Sequence, residues 1–529
     1  MQIMMKKAIK KLLAALLAVA MLCAMAVPAL AVSNTHTLTI NGTTSGHTYE
    51  AYQVFAGKLE GNVLSDITFG SGVNGEDILT DSKLPASLAG ATTAAELAEK
   101  LSKLANDHDD VKTFAKVISN HLTTINYTST ASGTTYTING LPDGYYFVRD
   151  ASDTLPEGAT YSRYMLDIIS NSTINTKDTS VSLDKQIKHN ESDKWGVVGD
   201  NQIGDTVEFR TITTVPDTTG YETYTYKIHD TMSEQLTSNV KTVNDVTIRI
   251  GDGDTAPELP KNYYTVDASG NTFTITVDII SAKNASLINT GNELYSYYSG
   301  VLNEKAKMYT EGPQENTAYL EYSNNPNGTG TGKTVEKTVY DWTFTIDVVK
   351  VDGADTSKKL DGAQFVLSRN GDLLVNGVFK ADYESNLIAV TGSDETGIYT
   401  VATSGNKYNM ITPKNGQISI KGLDDHVDYY LYEIKAPAGY NTLSSPVKFN
   451  ISTRTNDNYD ASGAHITKNP TVTVDSVDSN NMTFTVENNK GATLPSTGGM
   501  GTTLFYVVGG GLMVAAIVLL VTKKRMENK

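Results

Sequence analysis

Residues 342–350 read WTFTIDVVK, and this run decides how the sequence around it is interpreted. Successive side chains of a strand point to opposite faces, so the alternate residues from Trp342 to Val348 share one face with Lys350. Apolar residues at every second position are typical of a half-buried strand. The run therefore predicts a strand that carries a lysine amine on its apolar face.

Two other predicted strands of this region carry polar groups in the same way. Glu433 shares a face with Tyr429 and Leu431, and Asn488 shares a face with Phe484 and Val486. One domain thus places an amine, a carboxyl and an amide on its apolar faces.

An earlier region repeats the arrangement. Lys185 shares a face with Leu183 and Ile187, and Asp230 and Asn324 each end an alternating apolar run. The lysine and the asparagine are separated by nearly the same number of residues in both regions. Asn325 is a neighbouring candidate for the amide, which the alternation disfavours. Two such sets at matched spacing predict a shared chemical purpose.

Burial predicts what these groups do. Burial disfavours charge, so it lowers the pKa of a lysine and raises the pKa of an aspartate or glutamate. A neutral amine is a nucleophile, and a protonated carboxyl can polarise an amide and move protons. Attack of the amine on the asparagine Cγ would release ammonia and leave an isopeptide bond. The alternative is that each lysine extends to water with the acid as an ordinary salt-bridge partner.

A family resemblance supports the first interpretation. Residues 429–440, YYLYEIKAPAGY, resemble the E-box of Gram-positive pilins. KVD at 350–352 with LDGAQF at 360–365 looks like the opening of a Cna-type B domain. The resemblance implies a Lys350–Asn488 bond with Glu433 as the proton shuttle. The earlier region resembles the middle domain of backbone pilins, which implies a Lys185–Asn324 bond with Asp230 as the shuttle.

The C-terminal end carries a sorting device. Leu494, Pro495, Ser496, Thr497 and Gly498 precede an apolar run over residues 504–521 and the basic residues KKR at 523–525. The apolar run is just long enough to span a bilayer, and the basic residues hold that end in the cytoplasm. The order resembles the sorting signal of Gram-positive sortase substrates. The resemblance implies cleavage between Thr497 and Gly498 and transfer of the Thr497 carbonyl to an amine. A plain membrane anchor is the alternative.

The N-terminal end agrees with export. Residues 1–31 combine four lysines, an apolar run and the cleavage pattern ALA, which predicts a secretory signal peptide. The one cysteine of the chain, Cys23, lies inside it, so disulfides cannot reinforce the mature protein. The length predicts three domains, at 32–177, 178–340 and 341–490, followed by the sorting signal, transmembrane helix and basic tail at 491–529.

The composition indicates an all-β protein. The chain has 29 tyrosines and 12 phenylalanines and is dense in short strands separated by Gly, Asn and Asp turns. We therefore predict tandem immunoglobulin-like or Cna-type β-sandwiches. The first domain is expected to carry a helical insertion, about Thr93–Ala105 and Asp109–Leu122. Its opening strand offers no lysine beside Leu38 and Ile40, so its counterpart acid, Asp150, should form no bond.

Several functional classes are disfavoured. The formal charge of −16 repels nucleic acid and anionic membranes, so no nucleic-acid partner is expected. The eight histidines show no metal spacing, and the DGD turn at 252–254 lacks the full calcium-loop pattern, so no metal is expected. No paired carboxylates or Ser/His/Asp signature stands out. We expect no cofactor and no enzymatic turnover beyond autocatalytic bond formation.

The resemblance implies a structural function: the backbone subunit of a sortase-assembled, wall-anchored pilus that supports adhesion. Such subunits carry an acceptor lysine near the end of the first domain, and Lys177 is in the matching position, with Lys188 and Lys194 as alternatives. The implied partners are a pilus-specific sortase, a housekeeping sortase, further copies of the chain, ancillary pilins and peptidoglycan. The competing functions are a monomeric wall-anchored adhesin or ancillary pilin, and a wall-anchored enzyme.

Overall fold

The structure is a computed structural model. It describes residues 35–527 except 44, 107, 152–154, 156–158, 177–180, 191, 219–220, 326–329, 405–409, 456–465, 475–476, 480 and 492–500. The predicted signal peptide, Lys177 and the whole LPSTG motif therefore lie outside the described residues. The chain divides into two compact units, with the boundary between Thr343 and Phe344.

Within the first unit, residues 35–175 form two sheets with a helical segment. The strands are β1 (Thr35–Asn41), β2 (Tyr49–Glu60), β3 (Val63–Phe69), β4 (Tyr127–Thr128), β5 (Thr130–Ser132), β6 (Thr135–Pro142), β7 (Gly144–Asp150), β8 (Arg163–Ile168) and β9 (Ser172–Asn175). Among the described residues one sheet has the order β5-β6-β1-β9 and the other β3-β2-β7-β8, with β4 against β2.

Three helices interrupt these strands between β3 and β4: α1 (Gly75–Thr80), α2 (Ala94–Leu101) and α3 (Asp109–Asn120). Helix α2 begins because the Thr93 side chain caps it, accepting a hydrogen bond from the Glu96 amide at 3.2 Å. It buries Leu97 and Leu101, one turn apart, against the same core as Phe114 of α3. Helices α2 and α3 lie where the sequence predicts two helices, about Thr93–Ala105 and Asp109–Leu122, and α2 ends four residues earlier than expected.

The rest of the first unit, residues 183–342, is a pair of facing sheets. The strands are β10 (Leu183–Lys188), β11 (Trp195–Gly196), β12 (Val198–Asp200), β13 (Thr206–Thr214), β14 (Tyr226–Met232), β15 (Leu236–Ser238), β16 (Thr247–Ile250), β17 (Tyr264–Ser269), β18 (Thr272–Val277), β19 (Glu293–Leu302), β20 (Gln314–Ser323), β21 (Thr331–Lys333) and β22 (Lys337–Trp342). Two 3-10 helices (Val243–Asp245 and Lys261–Tyr263) and α4 (Ile279–Asn284) connect them.

These two sheets bring distant strands together. In the described chain one sheet runs β11-β10-β13-β19-β15, with β16 on β19, and the other runs β12-β22-β20-β14-β18-β17, with β21 on β20. Strands β10 and β20 therefore belong to opposite sheets, and side chains from both point into the core between them.

The second unit begins with β23. Its strands are β23 (Phe344–Asp352), β24 (Asp355–Lys359), β25 (Gln364–Ser368), β26 (Leu374–Val375), β27 (Val378–Phe379), β28 (Val390–Ser393), β29 (Ile398–Val401), β30 (Met410–Ile411), β31 (Gln417–Leu423), β32 (Asp428–Lys435), β33 (Val447–Thr455), β34 (Ile466–Val474), β35 (Val477–Ser479) and β36 (Thr483–Asn488). A 3-10 helix spans Tyr383–Asn386.

Its strands also form two main sheets in the described residues, β24-β23-β31-β29-β28 with β36 on β23, and β30-β25-β32-β33-β34-β35. The first strand, β23, pairs in parallel with the last, β36. Strands β1 and β9 of the first unit make the same kind of parallel pair. The fold is mostly β throughout, as predicted.

The chain then continues into a long helix, α5 (Gly501–Glu527). Residues Phe505–Glu527 are long and apolar enough to cross a membrane, and their most apolar 18-residue window has a mean hydropathy of 2.3. The side chains described from Phe505 onward are exposed, which suits a helix that meets lipid rather than a protein core.

Candidate cross-linking sites

The Lys350 cluster is built by strand register. In the parallel β23–β36 pair Lys350 lies opposite Val486, and Asp352 lies opposite Asn488. Lys350 and Asn488 are therefore diagonal neighbours on one face of one sheet. Glu433 reaches them from β32, in the facing sheet. The structure brings together all three residues that the alternation selected.

The geometry of this cluster is close. The Lys350 amine donates to the Val486 carbonyl at 2.8 Å, and its Nζ lies 4.0 Å from Glu433 Oε1. Asn488 Nδ2 donates to Glu433 Oε2 at 2.9 Å and also to the Asn441 carbonyl. Because a carbonyl can only accept, the contact with Asn441 fixes which end of the Asn488 amide faces the acid. The Asn488 amide nitrogen is thus held against the Glu433 carboxyl.

Burial changes the ionisation of the Lys350 amine. The side chains of Lys350 and Glu433 are 0% exposed. Loss of water lowers the pKa of the Lys350 amine to about 8, against the opposing attraction of Glu433 and Glu487. Glu433 Oε1 and Asn488 Oδ1 make no hydrogen bond within the described chain. A substantial neutral fraction of this amine therefore exists at neutral pH, next to an amide and a free carboxyl oxygen.

The Lys185 cluster draws its groups from two facing sheets. Lys185 on β10 lies opposite Thr211, and Thr211 lies opposite Ser296, so Tyr298 of β19 is on the same sheet two residues away. Asp230 comes from β14 in the facing sheet. The Lys185 amine donates to Asp230 Oδ2 at 2.5 Å and to the Tyr298 hydroxyl, which itself donates to Asp230 Oδ2.

The environment of this second cluster favours neutral groups. Lys185 and Asp230 side chains are 0% exposed. Burial lowers the pKa of the Lys185 amine and raises the pKa of the Asp230 carboxyl, while the attraction between the two opposes both shifts. Burial also raises the pKa of the Tyr298 hydroxyl well above its usual range, so it keeps its proton. Asp230 Oδ1 makes no hydrogen bond within the described residues.

The amide partner of Lys185 must be corrected. Asp230 lies opposite Ala318 on β20, whereas Asn324 follows the end of that strand, on the order of 20 Å away along an extended chain. That is farther than the four-carbon stem of a lysine can reach. The backbone of Asn324 bonds instead to Tyr161 and Gly330, at 2.8 and 3.3 Å. The prediction of a Lys185–Asn324 bond is therefore wrong.

Asn316 takes the place that was assigned to Asn324. It lies opposite Met232, one position along the same inward face from Ala318, and is 1% exposed. Burial raises the pKa of both Asp230 and Tyr298, and the Asn316 amide is near enough to oppose both shifts. Neither of its polar atoms makes a hydrogen bond of ordinary geometry in the described chain. The alternation of side chains along β20 places Asn316 on the same face as Asn324. The sequence pattern was therefore compatible with Asn316 but did not distinguish it from Asn324.

The corresponding place in the first domain holds a different pair. Asp150, the counterpart of Glu433, is buried, and its partner is His47, whose Nδ1 lies 2.5 Å from Asp150 Oδ2. The His47 ring stacks on Tyr49 at 5.9 Å between centroids. An imidazole in this position offers no primary amine, so the absence of an isopeptide bond from this domain stays a prediction.

The remaining candidates fall outside these clusters. Lys188 is held by Asp193 and Glu208, at 3.0 and 2.8 Å, while Lys194 is exposed. Asp252, considered as a calcium ligand, accepts a hydrogen bond from Arg210 at 2.6 Å. An arginine in this position competes with a cation for the carboxylate.

Comparisons with known proteins agree with this fold. Residues 344–464 match the SpaA family, a prealbumin-like fold domain, and residues 486–528 match the LPXTG cell wall anchor motif. The T6 backbone pilin of Streptococcus pyogenes superposes with a TM-score of 0.52 at 18% identity, covering 88% of this chain and 100% of that one. The chain has the fold of a backbone pilin. A comparison with curated proteins finds no match.

Two further major pilins are similar to a lesser degree. SpaD of Corynebacterium diphtheriae has a TM-score of 0.45 at 16% identity, covering 87% of this chain and 98% of that one. BcpA of Bacillus cereus has a TM-score of 0.42 at 16% identity, covering 87% of this chain and 99% of that one. With its anchor motif and apolar C-terminal helix, this chain is a cell-wall-anchored surface protein whose precursor spans the membrane.

Proposed function

We propose that the chain is the backbone subunit of a covalently polymerised pilus, stiffened by two internal Lys–Asn isopeptide bonds. The observation that carries the proposal is the Lys350 cluster, in which a buried amine, carboxyl and amide meet in the domain that precedes the cell wall anchor. A pilus subunit without disulfides needs another covalent cross-link, and an isopeptide bond in each cluster would provide it.

In the Lys350 cluster the reaction follows from the contacts. The neutral amine attacks Asn488 Cγ, the new C–N bond forms, and the proton lost by Nζ passes to Glu433. Glu433 then protonates Asn488 Nδ2, which it holds at 2.9 Å, and the Cγ–Nδ2 bond breaks to release ammonia. The products are one isopeptide bond and one ammonia, with the carboxyl returned to its starting state.

In the Lys185 cluster the same reaction joins Lys185 to Asn316. The amine attacks Asn316 Cγ, Asp230 takes the Nζ proton, and the protonated carboxyl delivers a proton to the leaving Nδ2. This bond would tie β10 to β20 across the two facing sheets. The bond between Lys350 and Asn488 would instead tie two adjacent strands, β23 and β36.

Both bonds suit a subunit of a polymer that is under tension along its length. Because β23 and β36 are the first and last strands of their domain, a bond between them carries tension past the hydrogen-bonded sheet. Each bond closes a loop of well over a hundred residues, and the chain-entropy estimate for such a loop is about 5 kcal/mol of stabilisation. The attached domain then resists unfolding by force, heat and proteases.

Polymerisation requires an exposed acceptor amine. We assign it to Lys177, which follows β9 at the end of the first domain, and the donor is the Thr497 carbonyl of the next copy. A pilus-specific sortase would make this bond, and a housekeeping sortase would join the last subunit to peptidoglycan. Ancillary pilins would be further components of the same pilus.

The test is an immunoblot of wall extracts with an antibody to the subunit. Wild-type cells should give a ladder, and Lys177→Arg cells should give only the monomer, because a guanidinium does not replace the acceptor amine. Lys194→Arg, at an exposed lysine, is the matched control and should keep the ladder. A single band from wild-type cells would favour a monomeric adhesin, and a ladder from Lys177→Arg cells would place the acceptor elsewhere.

A further inference from the structure

The Tyr298 hydroxyl occupies an unusual position in the Lys185 cluster. It accepts a hydrogen bond from Lys185 Nζ and donates one to Asp230 Oδ2, so it touches the nucleophile and its acid at once. The residue is 5% exposed and lies on β19, two strands from Lys185 in the same sheet. A plain salt bridge between Lys185 and Asp230 would not need this third group.

We propose that Tyr298 is a catalytic residue of the Lys185–Asn316 reaction, whose hydroxyl holds the second N–H of the neutral amine so that the lone pair is free to attack Asn316 Cγ. This inference rests on the proposed function of the same cluster. It adds a fourth participant to the lysine, acid and asparagine that the alternating pattern predicts.

The hydrogen count supports the assignment. A neutral amine has two N–H bonds and one lone pair, and the cluster offers two acceptors, Asp230 Oδ2 and the Tyr298 oxygen. The tyrosine proton goes to Asp230 Oδ2. Asp230 Oδ1, which has no hydrogen bond in the described chain, is left as the oxygen that carries the acid proton. Each hydrogen thus has a place, and the lone pair is not used in any of these contacts.

The Lys350 amine also has a hydrogen-bond acceptor besides its acid, but here a backbone group provides it. There the Lys350 amine donates to the Val486 carbonyl at 2.8 Å. A backbone carbonyl is a pure acceptor and belongs to the same strand as Asn488, so the register that brings the amide also supplies the acceptor. In the Lys185 cluster the amide comes from the facing sheet, and a side-chain hydroxyl provides the second acceptor.

The reaction balances with Tyr298 included. As the Nζ–C bond forms, Nζ passes one proton to Asp230 Oδ2, either directly or through Tyr298, which takes the amine proton and gives its own to Oδ2. The acid proton on Oδ1 goes to the leaving Nδ2, the Cγ–Nδ2 bond breaks, and ammonia departs. Tyr298 ends the step as a neutral hydroxyl, in keeping with its raised pKa.

The experiment compares bond formation in the mature chain, residues 32–497, with and without this hydroxyl. Intact mass and peptide mapping follow the Lys185–Asn316 and Lys350–Asn488 cross-linked peptides from the first minutes after synthesis. In Tyr298→Phe the Lys185–Asn316 bond should form at least about tenfold more slowly, since one hydrogen bond to the reacting atom is lost. The Lys350–Asn488 bond in the same molecule should form at the wild-type rate.

Tyr226→Phe is the matched control. Tyr226 is also buried in this domain and donates to the Thr214 carbonyl at 3.1 Å, away from the cluster. It should form both bonds at the wild-type rate. Equal rates for Tyr298→Phe and wild type would overturn the role of Tyr298 while leaving the bond in place. Absence of the Lys185–Asn316 peptide from the wild-type chain would instead overturn the proposed function of this cluster.

A second pair of variants separates catalysis from folding. Neither Asn316→Ala nor Asn316→Ala/Tyr298→Phe can form the bond, so their melting temperatures report what the hydroxyl contributes to the fold alone. We expect the two to melt within a few degrees of each other, because Lys185 and Asp230 still pair directly. A double variant that melts more than about 10 °C below the single variant would make the role of Tyr298 structural and overturn the proposal.

Discussion

The Lys350 and Lys185 clusters place the same proposed reacting groups, an amine, a carboxyl and an amide, on different strands of a β-sandwich. In the first, the amine and the amide lie on adjacent strands of one sheet and the acid comes from the facing sheet. In the second, the acid and the amide lie on adjacent strands, β14 and β20, and the amine comes from the facing sheet. The chemistry depends on which groups meet, and either arrangement of strands can bring them together.

The difference also decides how each amine is oriented. Register alone supplies the Val486 carbonyl to Lys350, because the acceptor and Asn488 are on one strand. Lys185 lies across the core from Asn316, its proposed amide partner, and a side chain, Tyr298, provides the second hydrogen-bond acceptor for its amine. A shorter acid, Asp230 instead of Glu433, accompanies that hydroxyl. Each cluster should therefore depend on its own acid, and the two should respond independently to mutation.

The largest expected effect is the loss of one bond when one acid is removed. Glu433→Gln should abolish the Lys350–Asn488 bond and leave the other intact, and Asp230→Asn should do the reverse, because an amide cannot shuttle protons. Rates should fall by a factor on the order of 100 or more. Intact mass should rise by one ammonia in each variant, and peptide mapping should identify the missing bond. Loss of both bonds in either variant would show that the clusters are coupled.

The next largest effect distinguishes Asn316, which lies on β20, from Asn324, which follows the end of that strand. Asn316→Ala should remove the Lys185 bond and lower the free energy of unfolding of that domain by about 5 kcal/mol, since the closed loop opens. Asn324→Ala is the matched control and should retain the bond. Denaturant unfolding with intact-mass detection measures both. If Asn316→Ala keeps the bond, the amide that bonds to Lys185 belongs to another residue.

The smallest effect is on the pH dependence of the Lys350 reaction. Burial lowers the pKa of this amine to about 8, and only the neutral form attacks, so protonation below that pH removes the nucleophile. The rate should rise by about tenfold per pH unit below 8 and level off above it. The measurement is the time course of ammonia loss in freshly synthesised chain. A rate that falls as the pH rises from 6 to 8 would contradict a neutral-amine mechanism.

Much of the candidate site could be predicted from particular residues. An apolar alternation is ended or interrupted by each of Lys350, Glu433 and Asn488, so the face of the strand that each occupies was predictable. The resemblance to the E-box identified Glu433 as the acid. The helices of the first domain were predictable because Leu97 and Leu101 repeat at helical spacing. Asp150 could be predicted as the counterpart of Glu433 in a domain whose opening strand offers no lysine, but its partner His47 comes from before β2, and no local pattern connects the two.

The amino-acid sequence by itself determined the all-β class, the face of each strand, the amines and acids of both clusters and the anchoring end of the chain. Only the tertiary structure decided that Asn316 rather than Asn324 lies next to the register position of Asp230, that Tyr298 contacts both Lys185 and Asp230, and that a backbone carbonyl accepts a hydrogen bond from Lys350. The physical reason is that alternation has a period of two, so it selects a face without selecting a position along it. That position is set by the packing of two sheets whose strands are far apart in the chain.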